Sequence, residues 1–204
     1  MLSTQDKTRI KDAVAQAESG TAGELVVVAA RRSSDYAFLR SVGALGVSVV
    51  VTWELLLATP LQHHFLVLMA QVPLFFALFG LLGLGPLLRT IVRRPVRQEK
   101  VMARALRAFI EEGVTETRDR SGVLIFLSQA ERQVVILADK GINDRVEPRE
   151  WETDVGTITS AIKQGRAGDG VVLAVERIGA LLAEAFPPRP DDTNELSDTV
   201  REVD

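Results

Sequence analysis

Polar and apolar positions alternate with three different periods along this chain, and each period predicts a different kind of element. Ser3, Thr4, Gln5 and Asp6 have the spacing of a capping box, and Ile10, Ala13, Val14 and Ala17 follow at helical intervals. A short amphipathic helix ending near Gly20 is the reading. Glu24 to Ala30 is a continuous run rich in valine, short enough for a strand buried on both faces.

Beyond Arg31 to Asp35 the pattern changes character. Residues 41–88 contain a single side chain expected to be ionised at neutral pH, Glu54, between flanks dense in Arg, Lys, Asp and Glu. A bilayer imposes this segregation, because charge at its centre costs roughly 2.5 to 3.5 kcal/mol per residue. Thr59 to His64 divides the region into 41–58 and 65–88, each near the ~20 residues that cross ~30 Å of hydrocarbon. A two-helix transmembrane hairpin is therefore expected.

After Pro95, Val101, Ala105, Leu106, Phe109 and Ile110 share a helical face expected to run to about Asp119. Gly122 to Ser128 and Gln133 to Ala138 read as strands joined by a hairpin turn at 130–132. A helix opens at Pro148 with Trp151, Val155, Ile158 and Ile162 in one stripe. Gly165 to Gly170 interrupts it, and a last helix runs to Phe186. Residues 188–204, rich in Pro and acid, read as a disordered acidic tail. One strand cannot be stable alone, so 24–30 must join the later pair. The expected organisation is one α/β domain made of 1–40 and 89–187, with the hairpin 41–88 inserted after its first strand.

Charge then orients the hairpin. Arg31, Arg32 and Arg40 precede it, and Arg89, Arg93, Arg94, Arg97 and Lys100 follow it, while the turn has no Lys or Arg. The positive-inside rule puts both termini in the cytoplasm of a multi-pass inner-membrane protein. The first residues lack the basic and apolar pattern of a secretory signal, which agrees with a cytoplasmic start. Glu54, about 8 Å from the turn at 1.5 Å per residue, reads with Trp53 as the outer edge of the first span.

Composition removes some chemistries. The 204 residues include no cysteine, so disulfides, cysteine zinc sites and cysteine nucleophiles are excluded. The net charge of -3, without a basic stripe interleaved with aromatics, argues against nucleic acid.

Gly23-Glu-Leu-Val-Val-Val, a polar loop before Tyr36, the segment from Thr117 to Ile142, Trp151 and the closing Phe186-Pro together resemble the TPM domain family, in its short bacterial membrane-protein branch. The resemblance implies a small α/β sandwich of helices around a twisted sheet. It also implies relatives as different as a thylakoid-lumen acid phosphatase, calcium-binding proteins and receptor modulators, so fold membership does not select a function.

Candidate chemistry centres on carboxylates. Asp139, Asn143 and Asp144 follow directly from a strand and supply the hard oxygen ligands that Ca²⁺ or Mg²⁺ prefers. Glu131 in the hairpin turn and Glu24 at a strand start would complete a paired-acid metal site with Asp139 if the sheet brought them together. The bland alternative makes Asp139 a turn cap and Asp144 a solvated charge. Gly165 to Gly170 lacks the Lys-Ser/Thr of a phosphate loop and reads as a helix end followed by a new start. Arg97, Lys100, Arg104 and Arg107 make one helix face basic, suited to anionic headgroups. The leading expectation is an adaptor for other membrane proteins, lodged in the bilayer. The alternative is a divalent-cation-dependent acid phosphatase using Asp139, Glu131 and Asp144.

Overall fold

The computed structural model describes residues 2–84, 87, 90–191 and 193–203. The chain forms two compact units, one of residues 1–33 and 98–204 and one of residues 34–97. Residue 88, the expected end of the second span, and Arg89 lie outside the described residues, as do Asp192 and Asp204 of the tail.

The first unit is α/β. Helix α1 (Thr4–Glu18) starts on the expected capping box: Ser3 Oγ accepts the Asp6 N–H at 3.0 Å, and the Asp6 carboxylate accepts the Ser3 N–H at 2.9 Å. Strand β1 (Glu24–Ala30) lies parallel to β2 (Gly122–Ser128), with Glu24 opposite Gly122 and Ala30 opposite Ser128. Strand β3 (Gln133–Ala138) returns antiparallel to β2. With β4 (Arg201–Val203) the four-stranded mixed sheet has the order β3-β2-β1-β4.

Strand periodicity of two sorts the side chains onto two faces. Leu25, Val27, Ala29, Val123, Ile125 and Leu127 point to a core shared with α1, α6 (Pro148–Lys163) and α7 (Ala167–Ala185). Val26, Val28, Ala30, Leu124 and Phe126 point the other way, onto Val101, Ala105 and Ala108 of α4 (Arg94–Glu111). Both strands are covered on both faces, which is why they read as continuous apolar runs. Each such buried Val, Leu, Ile or Phe contributes about 1.5 to 3 kcal/mol.

Two boundaries differ from expectation for local reasons. Helix α4 stops at Glu111, short of Asp119, because Gly113 takes a left-handed φ of 69° and a 3₁₀ turn follows at Val114–Glu116. The acidic tail is ordered in the structure: Arg201–Val203 forms β4, parallel to β1 at Val28 to Ala30. The expectation of disorder weighed acidity and proline, whereas the edge of β1 offers unpaired backbone groups that the tail satisfies.

The second unit holds α2 (Ala37–Ala58) and α3 (His64–Leu82), joined through a 3₁₀ turn at Leu61–His63. Spans Ala37–Ala58 and Leu61–Leu82 are each 22 residues, with mean hydropathy 1.8 and 2.4, long and apolar enough to cross a membrane. The buried face of α2 is a stripe of small residues, Ala44, Ser48 and Thr52, four apart. At the opposite end from the turn, the Arg40 guanidinium donates to the Phe79 carbonyl at 2.8 and 3.2 Å and lies 4.0 Å over the Phe79 ring. Together with α5 (Lys140–Asn143) in the first unit, the described residues contain seven α-helices.

Candidate functional site

The expected carboxylates fall at opposite ends of the sheet. Glu24 opens β1 and Asp139 closes β3, and the Asp139 N–H reaches the carbonyl of Gly122, the register partner of Glu24. Glu131 sits in the β2–β3 turn, a full strand length from Asp139, about 20 Å at 3.3 Å per residue. The expected association of Glu131 with Glu24 and Asp139 is therefore corrected by strand direction.

At the first end Asp139 is committed to structure. Its carboxylate accepts the Lys140 N–H at 2.7 Å, capping α5, and pairs with Arg120 through Nε at 2.7 Å and Nη2 at 3.1 Å. Gly141 lies so close to the strand entry that an added Cβ would meet the Asp119 carbonyl at 2.5 Å. Asn143 donates its side-chain amide to the Ala138 carbonyl at 2.7 Å, and Asp144 is the exposed C-cap of the same short helix. Among the described residues no three His, Asp or Glu side chains are grouped to hold a metal ion. Ca²⁺ takes six to eight oxygen ligands, and a carboxylate already bridged to a guanidinium does not fit that role. The structure places Asp139 and Asp144 at one end of β3 and Glu131 at the other.

At the Glu24 end of β1, α1, β1 and the tail line an acidic pocket of about 370 Å³, with Glu18, Thr21, Glu24, Thr193, Asn194 and Asp198 among its walls. Glu18 accepts the Leu25 N–H at 2.8 Å, and Glu24 accepts the N–H groups of Glu195 and Leu196 at 3.1 and 3.2 Å. Burial pushes the Glu18 carboxyl up to about 8, and the nearby charges of Glu24 and Asp198 add to the rise. Sequence reasoning passed over Glu18 because it closes a helix many residues from the tail that faces it.

At the other end, the carboxyl ends of β1 and β2 meet, the position where open α/β sheets place their ligands. Glu131 and Ser128 are buried here and Ser33 is half-buried. Ser33 Oγ lies 2.8 Å from Ser128 Oγ, Ser128 Oγ donates to the Glu131 carboxylate, and that carboxylate also accepts the Ser33 N–H at 3.2 Å. The network fixes the loop leaving β1. Neither serine carried a sequence signal, since a lone hydroxyl at a strand end has no distinctive spacing.

The glycine-rich segment has a packing explanation. Gly165 takes φ 75° at the end of α6, and Asp169, in the first turn of α7, pairs with Arg9 of α1 at 2.8 Å. Added side chains at Gly168 and Gly170 would collide with Asp6 and Ala161, so these glycines let α7 sit tightly on α1 and α6. Arg166 occupies the N-cap position of α7.

Residues 89–181 match the family described as the TPM domain. The NMR structure of the BA42 protein from the psychrophilic bacteria Bizionia argentinensis sp. nov. is similar, with a TM-score of 0.63 at 24% identity over 100% of this chain and 96% of that one. At that identity the likeness is one of fold. No curated protein matches the sequence.

Proposed function

Residues 89–181 carry a TPM domain, and from that premise we propose that the protein is embedded in the bacterial inner membrane by the helices 37–58 and 64–82, with its α/β unit serving as an interaction module for other membrane proteins. One observation carries the reading. The two helices present apolar side chains almost all round, including Phe38, Val50, Leu57, Phe65 and Phe76, and the second span has no residue buried within the chain. A helix apolar on every side is stable only in a core or in lipid. Both termini then face the cytoplasm, and the turn near Gln62 faces outward.

Where the polar groups are used supports the adaptor reading. Arg120 with Asp139, Glu131 with Ser128 and Ser33, and Glu24 with the tail are engaged inside the chain. The divalent-cation-dependent phosphomonoesterase, the alternative reading, needs Asp139 and Glu131 in one site, and β3 separates them.

The topology is tested with single cysteines in this cysteine-free chain. Gln62→Cys should react with a membrane-impermeant maleimide in intact cells, and Thr153→Cys only after permeabilisation. The reverse pattern overturns the orientation. Mg²⁺- or Ca²⁺-dependent turnover of a phosphomonoester that is lost in Asp139→Ala overturns the adaptor reading.

A further inference from the structure

Three carboxylates meet where the tail crosses the start of β1. Glu18 closes α1, Glu24 opens β1 and Asp198 stands in the tail, and all three line the pocket of about 370 Å³. Arg189 is the one cation among the described lining residues, and its guanidinium pairs with Asp119 of the turn before β2. Arg118 of the same turn pairs with Asp191 at 2.9 Å. On α1 itself the lining neighbours of Glu18, Ala15 and Ser19, carry no charge. The charges that face Glu18 from β1 and from the tail are therefore acidic, those of Glu24 and Asp198.

The path of the tail explains why these acids meet. Glu24 anchors it at one point by accepting the N–H groups of Glu195 and Leu196, and β4 anchors it at another, with Arg201 opposite Val28. Between these points the tail uses six residues to pass the four from Glu24 to Val28, so it arches off the strand. The Leu25 N–H, on the same edge of β1 as the Arg31 N–H that meets β4, donates instead to Glu18 Oε1 at 2.8 Å. Within the arch, Asn194 Nδ2 donates to Asp198 at 2.6 Å and lies 3.5 Å from Glu18 Oε2. Asp198 in turn hydrogen-bonds the protonated Glu18 carboxyl. Two carboxyl groups in contact share such a bond only while one of them keeps its proton.

We propose that residues 193–199 form a proton-held strap: a proton between Glu18 and Asp198 keeps the arch closed on α1, and its loss lifts the arch while β4 stays on β1. The anchors of β4 do not involve that proton, since Lys7 pairs with Glu202 at 2.8 Å, Arg201 pairs with Glu112 at 3.2 Å, and the Arg31 N–H meets the Val203 carbonyl. In the closed arch burial, with the neighbouring acids, raises the Glu18 carboxyl from 4.5 to about 8. Opening returns it to water and to its ordinary range. The closed form is then favoured fully below about pH 4.5, loses that advantage as pH rises, and has lost all of it above about 8. An open arch exposes the pocket and the start of the β1 edge, so the surface that the α/β unit presents depends on pH.

Distances between nitroxide labels in the full chain, which has no cysteine of its own, test the strap. Gln16→Cys on α1 with Ser197→Cys in the arch reads opening, and Gln16→Cys with Ser160→Cys on α6 reads the rest of the unit. From about pH 6 to about pH 9 the first pair should shift from one short distance toward a second, longer one, the ratio changing on the order of tenfold. The second pair should stay unchanged. In Glu18→Gln the first pair should give the same ratio at both pH values. A first pair that ignores pH overturns the proposal, as does an equal shift in Glu18→Gln. A second pair that lengthens alongside the first shows the whole unit loosening, and also overturns it. Where Glu18→Gln leaves the arch open at both pH values, Asp198→Asn decides. Its shift should be smaller than that of the unsubstituted chain, and an undiminished shift overturns the proposal.

Discussion

Arg120 holds Asp139 in a two-pronged ion pair, Nε to Oδ2 at 2.7 Å and Nη2 to Oδ1 at 3.1 Å, between a half-exposed guanidinium and a buried carboxylate. The pair ties the turn before β2 to the turn after β3, and Arg120 adopts a left-handed φ of 55° in doing so. Losing one partner of a buried pair costs more than losing an exposed one, since the other charge stays desolvated. Asp139→Ala, which also removes the cap of α5, is expected to destabilise the protein by about 2 to 4 kcal/mol. Arg120→Ala should cost less, about 1 to 3 kcal/mol, because water reaches the guanidinium side. Urea unfolding measures both, and negligible losses in both variants would show the pair to be incidental.

Glu18 makes stability depend on pH. Its carboxyl is raised in the folded state from 4.5 to about 8 by burial and by the neighbouring Glu24 and Asp198. A raised acid resists ionisation on folding, so its cost is absent below about pH 4.5, grows as pH rises, and is complete above about 8. After allowance for solvent screening, this amounts to roughly 2 kcal/mol. Thermal unfolding of Glu18→Gln should be flatter across that window, and at pH 8 the variant should be the more stable protein. Parallel pH profiles for the two proteins would refute the assignment.

Gly179 illustrates close packing between helices. An added Cβ would meet the Ala17 Cβ at 2.5 Å, so α7 and α1 touch almost backbone to backbone there. Alanine favours helix by about 1 kcal/mol over glycine, yet overpacking costs typically 1 to 3 kcal/mol. Gly179→Ala is expected to lower the melting temperature, and pairing it with Ala17→Gly should recover most of the loss. A single variant that melts higher would mean the helices yield.

The tail protects the edge of β1. The Arg31 N–H donates to the Val203 carbonyl at 3.1 Å, and Arg118 pairs with Asp191 at 2.9 Å. Deleting residues 191–204 should accelerate hydrogen exchange at the Arg31 amide on the order of tenfold or more, with little change at Ile125 in the sheet centre. Unchanged exchange at Arg31 would show the edge to be guarded by something else.

Local pattern alone settled much of this protein. The capping box at Ser3 and Asp6, the valine run of β1, the β2–β3 hairpin and the two long apolar helices were all legible, because each depends on residues within a few positions of one another. So did the TPM resemblance, carried by 117–142. What only the tertiary structure decided depends on distant segments. Strand direction put Glu131 at one end of the sheet and Asp139 at the other, and Arg120 claimed the carboxylate that resembled a ligand. The same holds for Ser33 and Ser128, brought to Glu131 across 98 and 3 residues. The tail became β4 because the edge of β1 was open, a property no composition reveals. The physical reason is that propensity and periodicity act along the chain, whereas ion pairs, pockets and strand edges are made by segments that the chain itself keeps far apart.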